Sequence, residues 1–141
     1  MSKGNTFEND LLALIFNATG IADLADNDAT SPATNLSVAL HTADPGEAGT
    51  QATSETAYTG YARVNVARTS GGWTVAAGSV SPAANIDFGE CTAAPGAAIT
   101  HASVGTGVAS KLLYSGAVTP NITMAVGVIP RLKTTSTFTE D

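Results

Sequence analysis

The sequence predicts a mainly β protein, an antiparallel β-sandwich or jelly-roll-like domain with an N-terminal amphipathic helix. Three observations lead there. Short segments with alternating apolar residues recur from Leu36 onward, turns bearing Gly or Pro separate them, and a single stretch near the N-terminus has helical spacing. Strands without helices between them favour antiparallel sheets packed face to face over a βαβ arrangement, although an up-and-down barrel fits the same pattern. The chain divides accordingly into a helical arm with its connecting loop (1–34), a β domain (35–133) and a polar C-terminal tail (134–141).

In the arm, Phe7, Leu11, Leu14, Ile15 and Ala18 recur at three- and four-residue steps, and Leu12 and Phe16 widen the apolar face. Asn5 or Thr6 can cap the first turn, Glu8 and Asp10 suit the positive end of the dipole, and Gly20 can end the helix. Such a helix must lie on the sheet or on a neighbouring subunit. Ile21 to Asn35 is rich in Asp, Asn, Ser, Thr and Pro and reads as a surface connection.

The first strand is the clearest. Leu36, Val38 and Leu40 alternate with Ser37, Ala39 and His41, the period of a half-buried strand, and Ala43-Asp44-Pro45-Gly46 ends it. Glu47 to Thr59 has no sustained alternation and reads as a long exposed loop. Tyr61 to Arg68 and Trp73 to Val75 form an expected hairpin around Thr69-Ser70-Gly71-Gly72. Between Val80 and Phe88, Pro82 pushes the first half to an edge or bend and leaves Ile86 and Phe88 for the core. Ala98 to Val104 is a further strand, with Ile99, His101 and Ser103 on one face. Lys111 to Val118 and Ile122 to Leu132 flank Thr119-Pro120-Asn121 as an expected second hairpin.

Composition narrows the function. A chain of 141 residues suits one domain that buries roughly 68% of its unfolded surface. Charged residues are 13%, about half the usual share, and a mostly neutral exterior suits a protein packed against others. With a net charge of −6, the cations Lys3, Arg63, Arg68, Lys111, Arg131 and Lys133 are too sparse to neutralise a run of phosphates, so no nucleic-acid partner is expected. No apolar run approaches the ~20 residues of a membrane span, and MSKGNTFEND lacks the features of a secretory signal, so no membrane partner is expected either. Cys91 alone permits no internal disulfide.

Residues with chemical potential have bland alternatives that outweigh it. His41 lies three before Asp44, but an outward strand histidine tying down a turn is the stronger reading than a general base. His101 has no metal-ligand neighbour at useful spacing. Asp23, Asp26 and Asp28 supply oxygens for an ion, yet the Gly and closing Glu of a calcium loop are missing, and a solvated capping loop is favoured. Cys91 reads as a loop or interface thiol and Trp73 as a plug at the end of the core. No nucleophile, base and orienting acid fall together, so no catalytic residue, cofactor or metal is expected.

The segments LHTADPGEAGTQ (Leu40 to Gln51), YTGYARVNVARTSGGWTV (Tyr58 to Val75) and LLYSGAVTPNITMAVGVIPRL (Leu112 to Leu132) resemble a family of small virion structural proteins from tailed bacteriophages, often labelled tail fibre proteins. The resemblance covers most of Leu36 to Leu132. It implies a non-enzymatic particle component, and size and build look like capsid decoration or cement proteins that bind the outside of the major capsid lattice and stabilise the head. The implied partners are the major capsid protein and further copies of the chain, as a homodimer or homotrimer, at the capsid surface of a virion assembled in the host cytoplasm. Interface candidates are Phe7, Leu11, Ile15, Tyr58, Tyr61 and Arg63. The alternative is a tail fibre or receptor-binding module of the phage tail, and a weaker one is a small hydrolase.

Overall fold

Residues 2–7, 10–11, 20–25, 33–76 and 79–139 are described in this computed structural model. Ten strands follow one another: β1 (Ser2–Lys3), β2 (Asn35–His41), β3 (Val64–Ala67), β4 (Trp73–Ala76), β5 (Ser79–Pro82), β6 (Ile86–Asp87), β7 (Ile99–Gly105), β8 (Leu112–Ile122), β9 (Arg131–Leu132) and β10 (Phe138–Thr139). They form three sheets, ordered β1-β8-β7-β2-β3, β10-β5-β4 and β6-β9, and the pairings within them are antiparallel. The protein is mainly β, as predicted. The order jumps along the sequence, so the sheets are not the up-and-down arrangement.

The period of two sets the two faces of the large sheet. In register, Val38 lies opposite Val64 and Val104, and Leu40 opposite Ala102, which puts these side chains into one apolar core with Tyr58, Trp73, Ile86, Phe88, Ile99, Leu132 and Phe138. All three sheets contribute to that core. Ser37, Ala39 and His41 point the other way, opposite Gly105, Ser103 and His101. They are buried too, Ser37 through His41 without a break. The half-buried strand expected from alternation is therefore covered on both faces, because the segment read as a long exposed loop folds back over it. Thr56 N donates to Leu40 O at 2.9 Å, Thr42 N donates to Ser54 O at 2.9 Å, and Gln51 is fully buried.

Neither expected hairpin forms. β3 pairs with β2, whereas β4 pairs with β5, so Thr69 to Gly72 carry the chain from one sheet to another. Gly72 makes the corner: a Cβ there would sit 2.1 Å from Ala67 O, so only glycine lets the chain turn that close. Thr119-Pro120-Asn121 is not a turn between strands but lies inside β8. The two-residue step from Ile99 to His101 on β7 is matched by a five-residue step from Ile122 to Ala117 on β8, and the surplus residues bulge outward. Proline, which has no N–H to offer the ladder, sits where the pairing is interrupted. The same irregularity accompanies Ile99 in the apolar core, off the face of Ser103 on which it was expected.

Both ends are woven into the β structure. β1 pairs with β8, Phe7 is buried with Ile21 and Leu113, and Phe7 meets Tyr114 edge-on with centroids 5.6 Å apart. Asn5–Phe7, Asp10 and Leu11 are helical; the rest of the expected helix lies outside the described residues. The segment expected to be a polar C-terminal tail supplies β10, which pairs with β5 and buries Phe138 edge-on against Trp73 at 6.3 Å. Truncation of that side chain should therefore be costly. Phe138→Ala is expected to lose about 3 kcal/mol or more in urea unfolding, and a loss below ~1 kcal/mol would show that the last strand is dispensable to the core.

Candidate functional site

The covered polar face of β2 and β7 brings together residues far apart in the chain. His41 Nε2 and Ser103 Oγ are 2.7 Å apart, and His41 Nδ1 lies 2.9 Å from Thr53 O. A carbonyl only accepts, so Nδ1 carries the hydrogen and Nε2 accepts from the Ser103 hydroxyl. The ring is neutral. Burial lowers its pKa below the ordinary 6.5, outweighing the hydrogen bond to Thr53 and the attraction of Glu55. Gln51 Nε2 donates to Ser37 O at 2.9 Å and, at 3.4 Å, to Ser103 Oγ. Gly105 leaves the space: a Cβ there would lie 2.3 Å from Gln51 Oε1.

Beside this cluster, Arg63 grips Glu55 with both arms of its fork, Nε to Oε1 and Nη2 to Oε2 at 2.7 Å each. Tyr61 OH donates to Glu55 Oε1 at 2.8 Å and accepts from Leu40 N at 3.1 Å. Burial pushes the Glu55 carboxyl up, but the hydrogen bonds from Arg63 and Tyr61 prevail and hold it below 4.5. Burial also raises the Tyr61 phenol, with Glu55 adding to the shift. Arg63 reaches on to Ser110 Oγ at 3.3 Å. The loop between β2 and β3 is thus clamped on itself by charge-assisted bonds and tied to β2 through the Tyr61 hydroxyl.

Ser103 and His41 have the spacing of a nucleophile and its base. Their surroundings do not suit that use, because the group orienting the imidazole is a backbone carbonyl and both side chains are fully buried. Sequence reasoning missed the pair since 62 residues separate its members, and the alternation that puts both on one face was the available signal. His41 does not pair with Asp44, which instead accepts from Gly46 N at 2.9 Å and closes its own turn.

The interface candidates are distributed as follows. Phe7 is buried and Leu11 packs against it. Ile15 lies outside the described residues. Tyr58 is buried, donating to Gly89 O at 2.8 Å, and Tyr61 stacks on Phe88 at 6.3 Å. Arg63 is occupied by Glu55. Their polar atoms are engaged within the chain. Cys91 is buried as well, its thiol directed at Ala93 O. Asp23 is described, while Asp26 and Asp28 lie outside, and among the described residues no group of three potential metal ligands gathers. His101 Nδ1 lies 2.9 Å from Thr100 Oγ1.

What the domain does present is apolar. Val108, Val126 and Ile129 are each more than half exposed. Val126 and Ile129 sit on a connection fastened to its neighbour by Gly127 N to Cys91 O at 2.8 Å and Cys91 N to Val128 O at 2.9 Å. The neighbouring segment continues as Thr92-Ala93-Ala94-Pro95-Gly96-Ala97, without a charge. Among the described residues, no helix is long and apolar enough to cross a membrane.

Two expectations follow from the polar cluster. Ser103→Ala leaves His41 Nε2 without its donor in a closed site and should cost about 1–3 kcal/mol in denaturant unfolding, with the fold kept. His41 binds its proton less readily folded than unfolded, so stability is full above pH 6.5 and falls as pH drops below it, toward the lowered folded value; Glu55 adds a further loss below 4.5. Denaturation midpoints that stay flat from pH 7.5 to 5 would contradict the buried neutral ring.

A family profile described as "Podophage GP4 fiber I protein gp80" matches residues 3–138. No curated protein matches the chain.

Proposed function

Because this chain belongs to the podophage GP4 fiber I protein gp80 family, and is thereby a phage virion structural protein, we propose that it is a β-built subunit of a virion fibre. The observation that carries this reading is the extent of the match. It runs from β1 to β10 and takes in all three sheets of the described fold. The word fiber in the family description supports this reading.

The physical build supports a structural rather than a chemical task. The polar residues with catalytic spacing are buried, and the cations are mostly spent internally, Arg63 on Glu55, Lys111 on Asp10, Arg131 on Asp87 and Arg68 on the carbonyls of Asp23, Leu24 and Ala33. A non-enzymatic protein with no nucleic-acid partner fits that disposition. Its partners are further copies of itself, as a dimer or trimer, and neighbouring virion subunits, met through the low-charge end that carries Val126 and Ile129.

The second reading is capsid decoration, in which the same end docks on the major capsid protein at the head surface. The neutral exterior favours it, since cement subunits bury surface on several neighbours and gain avidity from repetition. A jelly-roll-like sandwich is the finer fold that goes with this reading.

Copy number separates the two. Quantitative mass spectrometry of purified particles, with cryo-microscopy of the same preparation, is expected to find this chain far below the major head subunit in number and confined to fibres. Copies comparable with the head subunit, spread over the shell, would replace the fibre reading with decoration.

A further inference from the structure

A groove of about 670 Å³ opens between the outer half of β8, with its bulge, and the C-terminal run from β9 to β10. Buried Ala102, Leu132 and Phe138 make an apolar floor. Thr119 and Asn121 of the bulge form one rim, and Thr135 and Thr137 the other. The second rim is set in place: Ser136 N donates to Lys133 O at 2.9 Å and Thr134 N to Asn85 Oδ1 at 3.3 Å. The groove therefore does not have to be organised by what enters it.

Its electrostatics oppose those of the molecule. On a chain of net charge −6, no carboxylate among the described residues lines this groove, whereas Arg131 and Lys133 do. Arg131 is neutralised by Asp87, both of whose oxygens it engages. Lys133 is exposed and, among the described residues, is the strong cation whose side chain makes neither an ion pair nor a hydrogen bond. An ammonium left unpaired beside hydroxyl and amide rims and a small apolar floor is a site for an anion that also carries hydroxyls.

We infer that this groove binds an acidic saccharide, its carboxylate on Lys133, its hydroxyls on the Thr119, Asn121, Thr135 and Thr137 rims, and a C–H face on the floor. Polyol hydroxyls both donate and accept, as the rim side chains do. An acidic peptide matches the charge but offers its polar main-chain groups along a single line, whereas a saccharide ring carries hydroxyls that reach both facing rims at once. The assignment deepens the fibre reading, on which the biological use of the site rests, since a fibre that reaches a cell meets surface sugars; binding in solution does not depend on where the subunit sits in the particle.

Isothermal titration of the full chain with a galacturonic acid tetramer, the neutral galactose tetramer and a glutamate octapeptide tests it. The uronate tetramer is expected to bind, more weakly as salt rises, and the neutral tetramer at least ten-fold less well. Lys133→Gln, at an exposed side chain that leaves the melting temperature unchanged, should cost about ten-fold, the worth of one charge-assisted hydrogen bond. Thr135→Val should weaken the uronate and leave any peptide binding alone. Failure of the uronate to bind, equal binding of both tetramers, or an unaffected Lys133→Gln variant overturns the inference, and a glutamate peptide that binds as tightly as the uronate and displaces it makes the groove a peptide site. Particles with the chain on the head and uronate binding intact would remove the fibre reading and leave the groove standing.

Discussion

Everything in this fold answers to the covering of one sheet on both faces. Two central strands buried on one side only could leave Ser37, His41 and Ser103 to water; once a loop lies over them, each polar atom needs a partner inside the protein. The loop supplies them itself. Gln51 and the carbonyl of Thr53 satisfy the small polar residues, and Glu55 carries the charge that Arg63 and Tyr61 clamp. The cost of stripping water from these groups is offset because they arrive with the segment that excludes the water.

That coupling explains why the loop was misread from sequence. Its residues, Gln51, Thr53 and Glu55, look like a solvated surface, and no periodicity distinguishes a polar segment facing water from one facing polar side chains. The strands were legible wherever alternation met an apolar core, as in Leu36 to Leu40 and in Ile86 and Phe88. Pairing was not. Trp73 follows a Gly-Gly turn as a returning strand would, yet its partner is β5, because partner choice depends on contacts made after the corner and not on the turn. Pro120 misled for a related reason: a turn residue and a bulge residue share a chemistry, and only the opposing strand decides between them. At the far end, Phe138 stands alone among polar neighbours, and a single buried ring carries no pattern to detect.

The surface left over is consistent with a part of a larger assembly. The ion pairs of Arg63 and Lys111 are half-buried and consumed in holding loops and arm, and two of the exposed aliphatic groups, Val126 and Ile129, share the connection between β8 and β9. The groove beside β8 has a different chemistry, hydroxylated and cationic.

The crossing of Gly60 and Gly89 has a consequence for how such a protein can diversify. A Cβ on Gly89 would lie 1.9 Å from Gly60 O, and one on Gly60 would lie 2.1 Å from Glu90 O, so two main chains touch there with nothing between them. A side chain at either position would be driven into main chain rather than into a yielding side chain, so these two glycines are fixed as a pair, whereas the exposed threonines beside β8 face no such backbone limit.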